Sequence, residues 1–146
     1  MDTLGYGAHL IVDGFGASAP LLDESWVVAA ALELHAAQGW AESPLTQVSY
    51  WFPDGVSVGL SLPNGHLTLH TFAAHQRLTL SVFNPQVLTT AGLTDILRAR
   101  FSLGRLEAYL GSRTVALPQN HERAVKQIIG ERHYADLRLD ESLFAF

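Results

Sequence analysis

Ser57 and His70 are the residues of this chain whose types and positions best suit chemistry. They lie on either side of Asn64-Gly65, the strongest short hairpin signal, because both of those residues tolerate positive φ. Ser57 and His70 could then face each other across the hairpin. Histidine is suited to accept a proton near neutral pH, and a serine beside it begins a nucleophile–base pair. Asp13 would be the third member of a hydrolase triad only by assumption, and no nucleophile-elbow glycine pattern surrounds Ser57. Hydrolase chemistry therefore has little support. Trp51, beside Tyr50 and Phe52, suits sheet packing or an interface.

The seven histidines raise the question of a metal. His66 and His70 share one face of a strand, but four residues span roughly 13 Å. A single Zn²⁺ needs both nitrogens within about 2.1 Å. His75 would have to reach across from the neighbouring segment, and His121 and His133 fall in the tail. Cysteine is absent, which removes thiolate ligands, thiol nucleophiles and disulfides. No metal site is expected. Gly5, Gly7, Gly14 and Gly16 form neither a dinucleotide nor a P-loop fingerprint.

The elements that must position these residues are legible as periodicities. His9 to Asp13 reads as a first strand, ended by Gly14 and Gly16. Ser18 and Pro20 suggest a helix start, and Leu22, Trp26, Ala29, Ala30 and Leu34 recur at helical spacing before Gly39. Val48 to Phe52 is a short aromatic strand, closed by the Pro53-Asp54-Gly55 turn. Val56, Val58, Leu60 and Leu62, then Leu67 and Leu69, then Leu78, Leu80 and Val82 alternate with polar or small residues. These read as three successive antiparallel strands with one apolar face. Thr90 to Leu103 predicts a second helix, Leu106, Ala108 and Leu110 a further strand, and the segment around Ala124–Ile129 a third helix. The tail from Tyr134 to Phe146 is mixed in character and ends in an apolar run suited to docking. The order β-α-βββ-α-β implies an α+β domain, a two-layer α/β sandwich with helices on one face of an antiparallel sheet. The other face carries Ser57, Thr68, His70 and Ser81, which suits a pocket or a dimer contact.

With 146 residues, 48% of them hydrophobic, the chain is expected to form a single domain, 1–146, with its own core. Nine Lys and Arg and a net charge of -5 provide no basic footprint for nucleic acid. No early apolar run is long enough for a signal or a span, so a soluble cytoplasmic protein without membrane association is expected. No 20–50-residue period repeats.

Three stretches resemble the S-adenosylmethionine decarboxylase family in its short prokaryotic form. Gly7-Ala8-His9-Leu10-Ile11-Val12-Asp13 is similar to that family's opening strand. Phe52-Pro53-Asp54-Gly55-Val56-Ser57 continues the likeness. Gly65-His66-Leu67-Thr68-Leu69-His70-Thr71-Phe72 is similar to a family stretch reading Glu-Ser-His-Leu-(Ser/Thr)-Ile-His-Thr-Trp. The blocks are spaced without a gap. The likeness covers residues 4–85 closely and 86–117 only in element order, and it leaves an unmatched extension from about 118.

The resemblance implies a protein of polyamine (spermidine) biosynthesis whose motif serine attacks the preceding carbonyl and becomes a pyruvoyl group, the electron sink for decarboxylation. Here the Glu-Ser pair aligns with Asn64-Gly65, and Gly65 has neither hydroxyl nor Cβ. The family's general-acid cysteine falls near Pro85. Ser57 matches a serine that assists processing, His70 the histidine that abstracts a proton during processing, and Trp51 an aromatic that stacks on adenine, so the resemblance implies that Trp51, Ser57 and His70 line a small-molecule pocket. The expectation is a pseudoenzyme with no pyruvoyl cofactor, one that neither self-processes nor decarboxylates. It would bind an S-adenosylmethionine-like or polyamine ligand, as a homodimer or as a heterodimer with a paralogue. Two alternatives stand beside it: an enzyme with different chemistry based on His70, and a structural module acting as a dimer.

Overall fold

The computed structural model describes residues 8–18, 20–38, 44, 46–62, 65–84, 90–112 and 120–144. Gly5, Gly7, Gly39, the Pro63-Asn64 part of the hairpin turn, Pro85, Pro118 and Ala145-Phe146 lie outside the described residues. The elements are β1 (Ala8–Phe15), α1 (Glu24–Ala37), β2 (Thr46–Phe52), β3 (Gly55–Leu62), β4 (Gly65–Phe72), β5 (Arg77–Asn84), α2 (Thr90–Phe101), β6 (Arg105–Ser112) and α3 (His121–Phe144). The strands form one six-stranded antiparallel sheet in the order β2-β3-β4-β5-β1-β6.

Period-two alternation builds the main core. Leu10 and Val12 of β1, Val56, Val58 and Leu60 of β3, Leu67 and Leu69 of β4, and Leu78, Leu80 and Val82 of β5 form one apolar face. Val27, Ala30, Ala31 and Leu34 of α1 and Leu93, Leu97 and Phe101 of α2 cover it. Each fully buried leucine contributes about 1.5–3 kcal/mol of transfer free energy.

Helix α1 begins at Glu24 rather than near Ser18 and Pro20. Asp23 is the N-cap, accepting from the Trp26 amide at 3.2 Å. The residues before it are held away from helical geometry by long-range bonds. Ala17 N donates to Gln76 O at 3.0 Å, and the Thr71 hydroxyl donates to Leu21 O at 2.7 Å. The buried stripe of α1 accordingly runs through Val27, Ala30, Ala31 and Leu34, leaving Leu22 exposed.

The expectation of an α+β sandwich with helices on one face describes α1, α2 and the sheet. Helix α3 adds a layer on the opposite face. It continues through Phe144, so most of the tail that reads as mixed is helical. Its buried Ala124, Ile128, Ala135 and Leu139 follow helical spacing. The first two pack with Val48, and the last two with Phe72 and Phe15.

Because Leu69 is fully buried beneath α1, Leu69→Ala is expected to destabilise the fold by about 2–5 kcal/mol. Leu32→Ala, on the exposed side of α1, is expected to change stability by no more than about 0.5 kcal/mol. Urea unfolding of the two variants checks the assignment of this face as the core.

Candidate functional site

Ser57 and His70 are direct cross-strand partners of β3 and β4. The same row continues through Thr79 of β5 to Asp13 of β1. All four side chains are buried. Helix α3 follows this row across the strands. Glu131 and Arg138 are two turns apart, about 10.5 Å along a helix, and His70 and Asp13 are two strand spacings apart, about 9.6 Å. That match lets one helix serve both ends of the row.

At the first end, His70 Nδ1 is 2.8 Å from Ser57 Oγ, and His70 Nε2 is 3.3 Å from Glu131 Oε1. The Thr68 hydroxyl donates to the same carboxylate oxygen. Arg132 Nη1 donates to Ser57 Oγ at 3.2 Å and to Val56 O at 3.3 Å. Its guanidinium lies 4.4 Å from the Phe52 ring centre and 4.3 Å from that of Phe72. An arginine only donates, so Ser57 Oγ is an acceptor toward Arg132. The ionised Glu131 carboxylate also only accepts, so Nε2–H donates to it; in the neutral ring Nδ1 then accepts the Ser57 hydrogen, and in the charged ring Nδ1–H donates to Ser57 Oγ.

Burial alone would raise the Glu131 carboxyl. The hydrogen bond and charge of His70, the Thr68 hydroxyl and the charge of His66 outweigh it and bring the pKa to about 2. Burial lowers the Arg132 guanidinium from its ordinary value, against the raising effect of Asp54 and Asp136. At the far end of the row, Arg138 Nη2 donates to Asp13 Oδ1 at 2.7 Å and Nη1 to Oδ2, while Thr79 donates to Oδ1 at 2.8 Å. This bidentate pair raises the Arg138 pKa.

The structure brings Ser57 and His70 together and leaves Trp51 apart. Strand alternation turns Trp51 to the α1 face, where it pairs with Val56, is 52% exposed, and donates from Nε1 to Leu22 O at 3.2 Å. Phe52 takes the aromatic position on the polar face instead. Asp13 is committed to Arg138 and Thr79, so the acid beside His70 is Glu131. His66 is buried with its ring 6.2 Å from that of His9 and 6.1 Å from that of Phe83. Among the described residues no three His, Asp or Glu side chains converge as a metal-ligand set.

Gly65 starts β4 with its backbone pressed against β5. A Cβ built there would lie 2.0 Å from Phe83 O and 3.0 Å from the Phe83 carbonyl carbon. Real Cβ atoms do not approach so closely, so any side chain at this position requires the backbone to shift.

The family model for S-adenosylmethionine decarboxylase matches residues 8–114. The chain belongs to that family. Its fold is similar to the crystal structure of the adenosylmethionine decarboxylase from Aquifex aeolicus VF5, with 17% sequence identity, a TM-score of 0.58, and coverage of 77% of this chain and 93% of that one. No curated protein matches the chain. Helix α3, which supplies Glu131, Arg132 and Arg138, lies beyond the family-matched residues. Sequence reasoning missed these three side chains and Thr68's bond to the first of them. The available signal was their position among the buried Ala124, Ile128, Ala135 and Leu139 of one helix.

The ordinary Glu131 value of 4.5 falls to about 2 in the fold. A depressed carboxyl contributes stability above its unfolded pKa and loses it as the pH falls through the folded one. Glu131→Gln is therefore expected to be less stable than wild type by roughly 2–3 kcal/mol at pH 6. The difference should shrink progressively between pH 4.5 and 2. Urea unfolding across that range checks it, and a difference independent of pH contradicts it.

Proposed function

We propose that this chain is an S-adenosylmethionine decarboxylase-like protein that does not process itself and does not decarboxylate, and that it serves as a small-molecule-binding or regulatory member of the family. The single observation that carries this reading is Gly65. It stands where the resemblance requires the serine that becomes the pyruvoyl group. Glycine supplies no hydroxyl for the acyl shift and no Cβ to become the pyruvoyl methyl.

The surroundings support the reading in two ways. The space a Cβ needs at position 65 is taken by the Phe83 carbonyl. The two positions that resemble processing residues are engaged elsewhere: Ser57 receives Arg132, and His70 faces Glu131. Both side chains are fully buried, which removes them from contact with a substrate. With α3 docked, the part of the polar sheet face formed by β2, β3 and β4 is covered against a second copy or a paralogue. Pairing of either kind would have to use another surface.

Intact-mass spectrometry of the purified chain is expected to give one uncleaved species. Two fragments split near Asn64, the second carrying an N-terminal pyruvoyl formed from a neighbouring serine such as Ser61, would overturn the proposal. Slow Asn-Gly breakage is told apart by the absence of pyruvoyl. Gly65→Ser is expected to remain uncleaved and to lose about 1–3 kcal/mol of stability, because its Cβ must displace the β5 backbone.

A further inference from the structure

We propose that the cleft between α3 and strands β1 and β5 is a binding site for a small zwitterion of the free α-amino-acid type. The proposal rests on the reading of this chain as a non-processing, ligand-binding protein, and it supplies the site and the ligand class. The cleft has a volume of about 540 Å³, within the range of small-molecule sites. Its sheet side presents His9, Thr79 and Ser81, with His9 Nε2 2.7 Å from Ser81 Oγ. Its helix side presents Lys126, Glu131 and Arg138.

Gly130 is the first reason to regard this space as kept open. It lies inside a 24-residue helix, where glycine is the least favourable residue after proline. Packing does not require it: a Cβ built at Gly130 meets nothing within 4 Å. The residue lines the cleft. A larger side chain there would cost no contact and would take up cleft space. The helix thus forgoes stability at a position whose side chain would narrow the opening.

The charges select the ligand. Among the described residues both hydrogen bonds to Glu131 fall on Oε1, which leaves Oε2 available to an ammonium group. Lys126 is exposed, and its own pair with Glu122 is long, at 3.8 Å, so its amine is available to a carboxylate. Arg138 is satisfied by Asp13 and adds a neutralised pair to the wall. A polyamine would bring positive charge against Lys126, and a dicarboxylate would bring negative charge against Glu131. One ammonium and one carboxylate on a small molecule satisfy both. Ile11, Ala135 and the Tyr134 ring supply apolar surface for the remainder.

The test is an NMR titration of the full chain, first shown by mass to be uncleaved, with L-leucine and L-methionine. Each is compared with its decarboxylated amine and its deaminated acid, and spermidine is the polycation control. Amino-acid binding is expected to shift amides of β1, β5 and α3, with the amine and the acid roughly tenfold weaker or worse. Gly130→Ala is expected to melt at a higher temperature and to bind a few-fold more weakly than wild type. Gly130→Trp is expected to stay folded and to bind roughly tenfold more weakly or not at all. The proposal is overturned if neither amino acid binds the intact chain at millimolar concentration, if spermidine or the bare amine binds as well, or if Gly130→Trp binds as wild type does. A cleaved, pyruvoyl-bearing chain would instead overturn the reading beneath it.

Discussion

A sheet face that carries Asp13, Ser57, Thr68, His70 and Thr79 can leave water only if its polar groups find partners. Each unsatisfied buried group costs roughly 1–3 kcal/mol, and an unpaired charge costs more. Helix α3 meets that requirement with Glu131, Arg132 and Arg138, and Asp136 adds a contact to Arg77 at 3.4 Å. The apolar contacts of Ala124, Ile128, Ala135 and Leu139 give the helix its affinity for the sheet. The charged groups between them determine its register. Sliding α3 by one turn would move Glu131 from His70 and Arg138 from Asp13 together, so the polar pairs act as a two-point lock.

That lock defines what the face can do. His70 and Ser57 retain the types and spacing of a proton-transfer pair, yet they are bonded to groups of the same chain and sealed from solvent. Gly65 completes the picture from the other side of the sheet's polar row. The absence of a side chain there permits β4 to approach the Phe83 carbonyl more closely than any other residue would allow. The glycine is therefore built into the strand pairing. An open cleft lies beside Gly130, and its helix wall lies outside the family-matched residues.

Much of this was legible in the sequence, for physical reasons that differ by element. The pairing of β3 with β4 followed from strict alternation and a turn signal between them, but the register did not: a two-residue turn at Asn64-Gly65 would set Ser57 opposite Phe72, whereas Gly65 pairs with Leu62 and thereby sets Ser57 opposite His70. Helix α2 was clear because Leu93, Leu97 and Phe101 keep one stripe. Helix α3 was only partly clear. Glu131, Arg132 and Arg138 interrupt its apolar stripe because they meet a polar sheet face, so its periodicity is weak where its function is greatest. Trp51 was misplaced relative to Ser57 and His70. In a strand whose two faces are both half-covered, hydrophobicity does not reveal which way an aromatic turns, and the neighbouring Phe52 is equally suitable. The start of α1 depended on bonds to Thr71 and Gln76, 50 and 59 positions away in sequence, which no local signal contains.

The central claim is that α3 closes the polar face through specific bonds to His70 and its neighbours. A double-mutant cycle between His70→Gln and Glu131→Gln, followed by urea unfolding at neutral pH, tests it most directly. A coupling free energy of about 1–3 kcal/mol is expected for partners in one buried network. Strictly additive effects would mean that Glu131 and His70 do not meet, and that the helix does not hold the face as described.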